Sequence, residues 1–416
     1  MSALDIWLYG DCVGRLTSAR TDHLSFEASA TAIQRWGPGS NVLSVTIPFT
    51  AEVKVPADRL RAFFHGLLPE GTARDHLARR FNLRPRDVIG MLRELGEDCA
   101  GAVMALPLGE VPPEHPERYE ILSATKLAEL IDNLPTAPLG IGNGPVTRKS
   151  LAGIQPKLLV SRLPSREWAY STDGAPSTHI LKPEEAAYPG GASNEAWCMR
   201  LAKACGLTTV DADVLQIGEI PVYCVSRYDR MIDGDQIGRV HQEDFCQALG
   251  IETFDSRAKY GVHSAKRLNL RAMSEILRFH APAERARLLA VTTFHVAIGN
   301  ADAHGKNHSI LHHVDGSIEL APIYDAWSTI QYPRLTRTLS LSIDRTFQLD
   351  AISIERLAAE ATTWGLGAPV ARAVVRETLD CLATAVDDNA HRVGLDISDK
   401  FAASICRRVD DLRRVE

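Results

Sequence analysis

Residues 299 to 309 read GNADAHGKNHS, and Asp302, His304, Lys306, Asn307 and His308 crowd this stretch directly after a strongly apolar one. Three chemistries compete for such a cluster. Asp302 and Asn307 are oxygen donors, and oxygen donors suit Mg²⁺, a hard ion that keeps waters and phosphate oxygens in its shell. Their separation is that of the Asp and Asn in the protein-kinase catalytic loop, H-R-D-x-x-x-x-N. His304 and Lys306 then stand where a side chain could steady a transferring phosphoryl group. Zinc would instead use His304, His308, His312 and His313. However, the His304–His308 pair lacks the Glu of H-E-x-x-H, Gly305 interrupts any helix, and neighbours 312 and 313 on a strand point to opposite faces. A solvated polar turn is the default for each residue alone.

The elements around the cluster sharpen the choice. In AERARLLAVTTFHVAIGN, Leu288, Val291, Phe294, His295 and Ile298 form one helical stripe, and Gly299 supplies a C-terminal stop. After the cluster comes HSILHHVDGSIELAPIYD, where Asp315-Gly316 predicts a hairpin with a two-residue type I′ turn. A turn centred on that pair sets Asn307 opposite Tyr324 and brings Asp325 beside it. Asp302, Asn307 and Asp325 then gather at one end of a ribbon, two of them as ligands of Mg²⁺ and one free to accept a hydroxyl proton. That convergence favours phosphoryl transfer over zinc and over the plain turn.

A nucleotide would need a second set of residues. GPVTRKS (residues 144 to 150) fails as a Walker A ending because Asn143 and Arg148 stand where glycines are due. SLAGIQPKLLV keeps Ser150, Ala152, Gly153 and Lys157 ahead of an apolar strand, and Gly153 would let backbone N–H groups approach a phosphate. Taken alone it reads better as a plain hairpin turn. Lys182 ends the short strand THILKP. A helix is expected from about Asn194 to Cys205, capped by Ser193 and stopped by Gly206. Glu195 falls on its inner stripe, where a carboxylate needs a cation such as Lys182; a carboxylate in the first turn could equally serve the helix dipole.

Strand-like pieces (IWLYG, HLSFEAS, NVLSVTIPF) precede three helical ones (ADRLRAFFHGLL, TARDHLARRF, RDVIGMLREL), and a proline-rich connection follows from residue 106. The expected division is 1–105, a strand-plus-helix subdomain; 106–125, a linker; 126–240, a nucleotide-binding part; and 241–416, a helical lobe with the catalytic loop. The fold class is α+β. A net charge of −6 opposes broad DNA binding by this chain alone. The eight cysteines form no CxxC pair and read as thiols of a reducing cytosol. The N-terminus is unlike a signal peptide, and no apolar run reaches membrane-spanning length.

In order, LLPEGTARDHLARRF, LGEDCAGAVMALP, SLAGIQPKLLV, THILKP, NEAWCMRLAKACGL, VSRYDR, HQEDFCQALG, GNADAHGKNHS and LAPIYD make the chain resemble the HipA family, serine/threonine-kinase toxins of bacterial toxin–antitoxin pairs. The resemblance runs to about residue 345. It implies a two-lobed protein-kinase-like fold that binds ATP and Mg²⁺. It makes Asp302 the catalytic Asp, helped by His304 and Lys306, and makes Asn307 and Asp325 the metal ligands. Ala152, Gly153, Lys157, Lys182 and Glu195 fall to the nucleotide, and Ser226-Arg227-Tyr228 to an adenine-binding hinge; Ser226 stands where many members have Glu. Ser150 becomes the autophosphorylation site. The resemblance further implies a small helix-turn-helix antitoxin of the HipB kind, which supplies most contacts to operator DNA, and an aminoacyl-tRNA synthetase as substrate, the glutamyl enzyme first. Phosphorylation would block charging and arrest growth in the cytoplasm. A catalytically weak binding module acting with the antitoxin in repression is the alternative, and a metal-dependent hydrolase a weaker third.

Overall fold

The computed structural model describes residues 2–19, 23–52, 54–113, 119–142, 148–234, 236–264 and 267–414. The chain forms two compact units, each discontinuous in sequence. The first comprises Met1–Lys182, Arg227–Ala258 and Ile310–Ile318; the second comprises Pro183–Ser226, Lys259–Ser309 and Glu319–Glu416.

In the first unit, an antiparallel sheet runs in the order Leu24–Ala28, Asp11–Ser18, Ser2–Leu8, Met104–Pro107. Leu4, Ile6 and Leu8 alternate onto one face and are fully buried, as a half-covered strand requires. The expected helices form at Ala57–Gly66, Gly71–Arg80 and Val88–Leu95, and send Phe63, Phe64, Leu77 and Leu92 into the same core. NVLSVTIPF is not a strand. Its Ser44 hydroxyl (2.7 Å) and Val45 N–H (2.8 Å) donate to the carboxylate of Glu243, which also accepts from His312 Nε2 at 2.9 Å. A buried side chain from far along the chain thus satisfies this segment where a neighbouring strand would otherwise do so. Tyr119–Ile121, Trp168–Ser171, Leu158–Arg162 and His179–Pro183 pair in that order; Leu158 lies opposite Leu181.

The second unit is mainly helical. Glu284–Ala297 is flanked by Leu270–His280, Ile354–Thr362, Ala368–Asp387 and Asp399–Arg414. Leu357, Val375, Leu379 and Ile405 are fully buried among them. The helix Gly191–Ala204 packs on the hairpin Ala212–Ile217/Ile220–Ser226, and its Trp197 meets Phe401 edge-on at 4.9 Å between centroids. Among the described residues no helix is long and apolar enough to cross a membrane.

Candidate active site

The helix Glu284–Ala297 stops as its sequence dictates: Gly299 takes φ +73°, and a Cβ there would stand 2.5 Å from Ile330. The loop that follows is fixed by short bonds. Ala301 N–H donates to Thr329 Oγ1 (2.9 Å), whose hydroxyl donates to the Gly299 carbonyl (3.0 Å). Ser340 donates to the Ala301 carbonyl from both its N–H and its hydroxyl. Asn300 Oδ1 accepts the Asp302 N–H at 2.9 Å, and its Nδ2 reaches His295 Nδ1 at 3.1 Å. The amide of Asn307 donates to the Asp302 carbonyl at 3.2 Å, which presents its Oδ1 as the acceptor. His304 accepts at its carbonyl from the Asn307 N–H and from His308 Nδ1.

Asp302 is the chemically distinctive group. Burial, and then the negative charge of Asp325, push its carboxyl up to about 6, against the pull of Lys259 and a hydrogen bond from Tyr260. The Tyr260 hydroxyl lies 3.1 Å from Asp302 Oδ1, and its ring meets His304 edge-on at 5.3 Å. Such a carboxyl is poised to take a proton near neutral pH. His308 and His295 behind the loop are held neutral, down to about 4 and about 3, first by burial.

Two of the local expectations need correction. The hairpin is not a two-residue type I′ turn. His313 N–H donates to the Ser317 carbonyl and Ala321 N–H to the Ser309 carbonyl, so three residues turn the chain and Gly316 alone takes a left-handed conformation, φ +86°. Asp315 Oδ1 accepts from both the N–H and the hydroxyl of Ser317, which favours this wider turn. The register moves by one, and Ile323 rather than Tyr324 falls opposite Asn307. Tyr324 is nevertheless held at the loop, with its hydroxyl 2.6 Å from both the Lys306 carbonyl and Ser309 Oγ. Asp325 follows with φ +56°, an uncommon conformation of the kind concentrated at functional sites. The second correction concerns the helix Gly191–Ala204: Gly190, at φ +73°, is its N-cap, and Ser193 lies inside it and accepts the Asp396 N–H instead. Glu195 is therefore buried beyond the first turn and is not a dipole partner there.

The Asp302 carboxyl, raised in part by the Asp325 charge, and the Asn307 side chain bonded to the Asp302 carbonyl are oxygen donors of the kind suited to a hard divalent cation. Among the described residues, no group of three or more His, Cys, Asp or Glu could hold a metal by itself.

Of the remaining expected positions on the nucleotide side, all but Ser226 lie in the first unit. Ser150 is fully buried and donates to the Leu67 carbonyl at 2.6 Å. Lys157 Nζ donates to the Ala152 carbonyl at 3.0 Å. Gly153 arches over that ammonium at φ +113°, and a Cβ there would stand 2.4 Å from Nζ. Lys182 is buried one residue beyond the Leu158–Leu181 pair. At the hinge, Ser226 N–H donates to the Asp211 carbonyl within the second unit, and Arg227 N–H to that of Thr178 within the first. Tyr228 bonds Gln242 through its hydroxyl. Residues 143–147 of the preceding loop lie outside the described residues.

No local pattern marks the buried charge network beside Ser150. Asp98 meets Arg230 at 2.8 Å and Arg227 at 3.6 Å, and Asp229 holds both arginines at 2.8 and 3.1 Å. Burial opposes the Asp98 charge, yet Arg227, Arg230, Arg239 and Lys149 hold its carboxyl well below the usual range. Asp98 also accepts the Ser177 hydroxyl at 2.6 Å, and its carbonyl accepts the Ser150 N–H at 2.9 Å. Lys149 sits 4.1 Å over the Tyr170 ring, with its ammonium pushed down to about 7 by burial.

Residues 4–106 match the HipA N-terminal domain model, and residues 149–388 match the HipA-like C-terminal domain model. The chain belongs to the HipA family of kinase toxins. The Sinorhizobium fredii protein Y4mE is 35% identical over 96% of this chain and 94% of its own length. The serine/threonine-protein kinase toxin HipA of Shewanella oneidensis is 31% identical over 83% of this chain and 81% of its own. The solved structure of Shewanella oneidensis MR-1 HipA with HipB and operator DNA matches with a TM-score of 0.82 at 27% identity, covering 99% of this chain and 100% of that one. The α+β, protein-kinase-like fold of the HipA family is thus established for this chain, and with it membership among serine/threonine protein kinases. Tyr260 and Asn300, which hold Asp302 in this HipA-family site, escaped sequence reasoning. Asn300 was visible within the cluster, but nothing local to SRAKYGVHS marked Tyr260.

Proposed function

We propose that this HipA-family kinase transfers the γ-phosphoryl group of ATP to a protein serine or threonine, with Asp302 accepting the hydroxyl proton. The observation that carries this reading is the Asp302 carboxyl, raised toward neutrality by burial and Asp325 in a loop whose Asn307 sits at catalytic-loop spacing. Asn307 and Asp325 would hold Mg²⁺, which when bound neutralises charge on the phosphates. Lys182, Glu195 and the Ala152–Gly153–Lys157 turn are the residues we assign to the phosphates. His304 and Lys306 flank the transfer, and the 226–228 segment takes the base. The division at residues 105, 125 and 240 is our proposed domain assignment.

Ser150 is the proposed autophosphorylation site, and its modification switches the enzyme off. The biological setting we infer is the cytoplasm, with a helix-turn-helix, HipB-like antitoxin that carries the chain to operator DNA. The HipB and DNA in the related solved complex support this setting. The proposed substrate is an aminoacyl-tRNA synthetase, the glutamyl enzyme first, whose phosphorylation arrests growth.

Expression of the Asp302→Gln chain without antitoxin tests the reading. It should neither label Ser150 nor slow growth, while its circular dichroism matches wild type. Full toxicity of that variant would end the assignment.

A further inference from the structure

Two cysteines outside the site just described are placed to react with each other. Cys205 ends the helix Gly191–Ala204, where its N–H closes the last turn on Leu201 at 3.0 Å and fixes where its side chain leaves the backbone. Cys381 lies in the C-terminal half of Ala368–Asp387, a helix that packs against the first within the second unit. The Cys381 thiol donates to the carbonyl of Ala204, the residue before Cys205, at 3.7 Å, which brings its sulfur beside the Cys205 thiol. Both are half-buried, so small oxidants can reach them. The other two half-buried thiols have different neighbours: Cys12 turns to the Gly14 carbonyl and Cys406 to the Asp387 carboxylate. The four remaining cysteines are buried.

We infer that Cys205 and Cys381 form a reversible redox pair that peroxide converts to a disulfide, tying the end of the Glu195 helix to Ala368–Asp387. The chemistry balances with a peroxide as oxidant. The Cys381 thiolate attacks one peroxide oxygen, the O–O bond breaks, and a sulfenic acid and hydroxide form. The Cys205 sulfur then attacks the sulfenic sulfur, giving up its proton as the S–O bond breaks, and water leaves. Overall, two thiols lose two electrons to one hydrogen peroxide, which leaves as two waters. The division of labour follows the local environment. Burial, and then the neighbouring Cys381 sulfur, raise the Cys205 thiol, so Cys205 is the slower of the two to ionise and resolves the sulfenic acid formed on its partner.

The test treats the reduced full-length chain with hydrogen peroxide, alkylates the remaining thiols, and maps unreduced peptides by mass spectrometry. The expected product is a peptide pair joined through Cys205 and Cys381 that dithiothreitol separates again. Oxidised wild type should also unfold at a higher temperature than reduced wild type. Cys205→Ser and Cys381→Ser should each lose both the link and that shift, while melting like the reduced wild type without peroxide. Alkylation of both thiols after peroxide, or sulfinic acid at Cys381 beside a still-free Cys205, would overturn the inference. None of these readouts depends on kinase activity.

Discussion

The Tyr260 hydroxyl stands 3.1 Å from Asp302 Oδ1, in a site where burial and Asp325 together raise the Asp302 carboxyl to about 6. This one hydrogen bond stabilises the charged form of the proposed base and opposes both of those effects. Its removal should therefore be visible in the pH dependence of the reaction.

Tyr260→Phe should move the acidic limb of the rate profile upward. A hydrogen bond to a charged group contributes about 1.5–3 kcal/mol, which corresponds to a shift of about 1–2 pH units. Initial rates of phosphate incorporation between pH 5 and 8 would measure it. An unmoved limb would remove Tyr260 from the proton's environment.

Asp302 should also limit stability, and the sign is definite. Its folded-state carboxyl titrates near 6, above the ordinary carboxylate value of 3.8. The folded chain therefore holds this proton more tightly than the unfolded chain. The associated stability is fully present below about pH 4 and is lost as pH rises through about 6. Asp302→Asn should consequently raise stability at pH 7.5 by on the order of 2–3 kcal/mol, and by roughly half as much at pH 5. Urea unfolding of both chains at the two pH values would show this difference.

Ser150→Asp should weaken ATP binding. The native hydroxyl is wholly buried against the Leu67 carbonyl, and a carboxylate cannot occupy that place without losing its hydration. The turn bearing Ala152, Gly153 and Lys157 would then leave its position. Calorimetric titration should give an ATP Kd raised about tenfold or more, equivalent to at least ~1.4 kcal/mol.

Asp98→Asn should be among the most damaging single changes in the first unit. It leaves Arg227 and Arg230 buried with Asp229 as the remaining close carboxylate, and breaking a buried ion pair in this way costs about 3–5 kcal/mol. Denaturant unfolding would show it as a lowered midpoint.

Several of these parts are legible from one stretch of chain. The helix before the catalytic loop, its stop at Gly299 and the Asp302–Asn307 spacing need only neighbours in sequence, so periodicity and turn chemistry reveal them. The parts that escape prediction depend on distant partners or on side-chain capping. Ser44 and Val45 give up a strand for the carboxylate of Glu243. Asp315 caps Ser317 and widens the turn, which shifts the register by one residue. The Asp98 network joins residues 98, 149, 177, 227, 229, 230 and 239, and no periodicity links them. Tyr260 reaches Asp302 from the bend between two short helical turns, which has no signature of its own.

The most direct measurement is transfer of labelled γ-phosphate from ATP by wild type and Asp302→Asn at pH 7.5, with ATP affinity determined in parallel. If Asp302 takes the hydroxyl proton, the transfer rate should fall by roughly 10²–10⁴-fold while the ATP Kd stays within a few-fold of wild type. An Asp302→Asn chain that transfers phosphate at the wild-type rate would contradict the account at its centre.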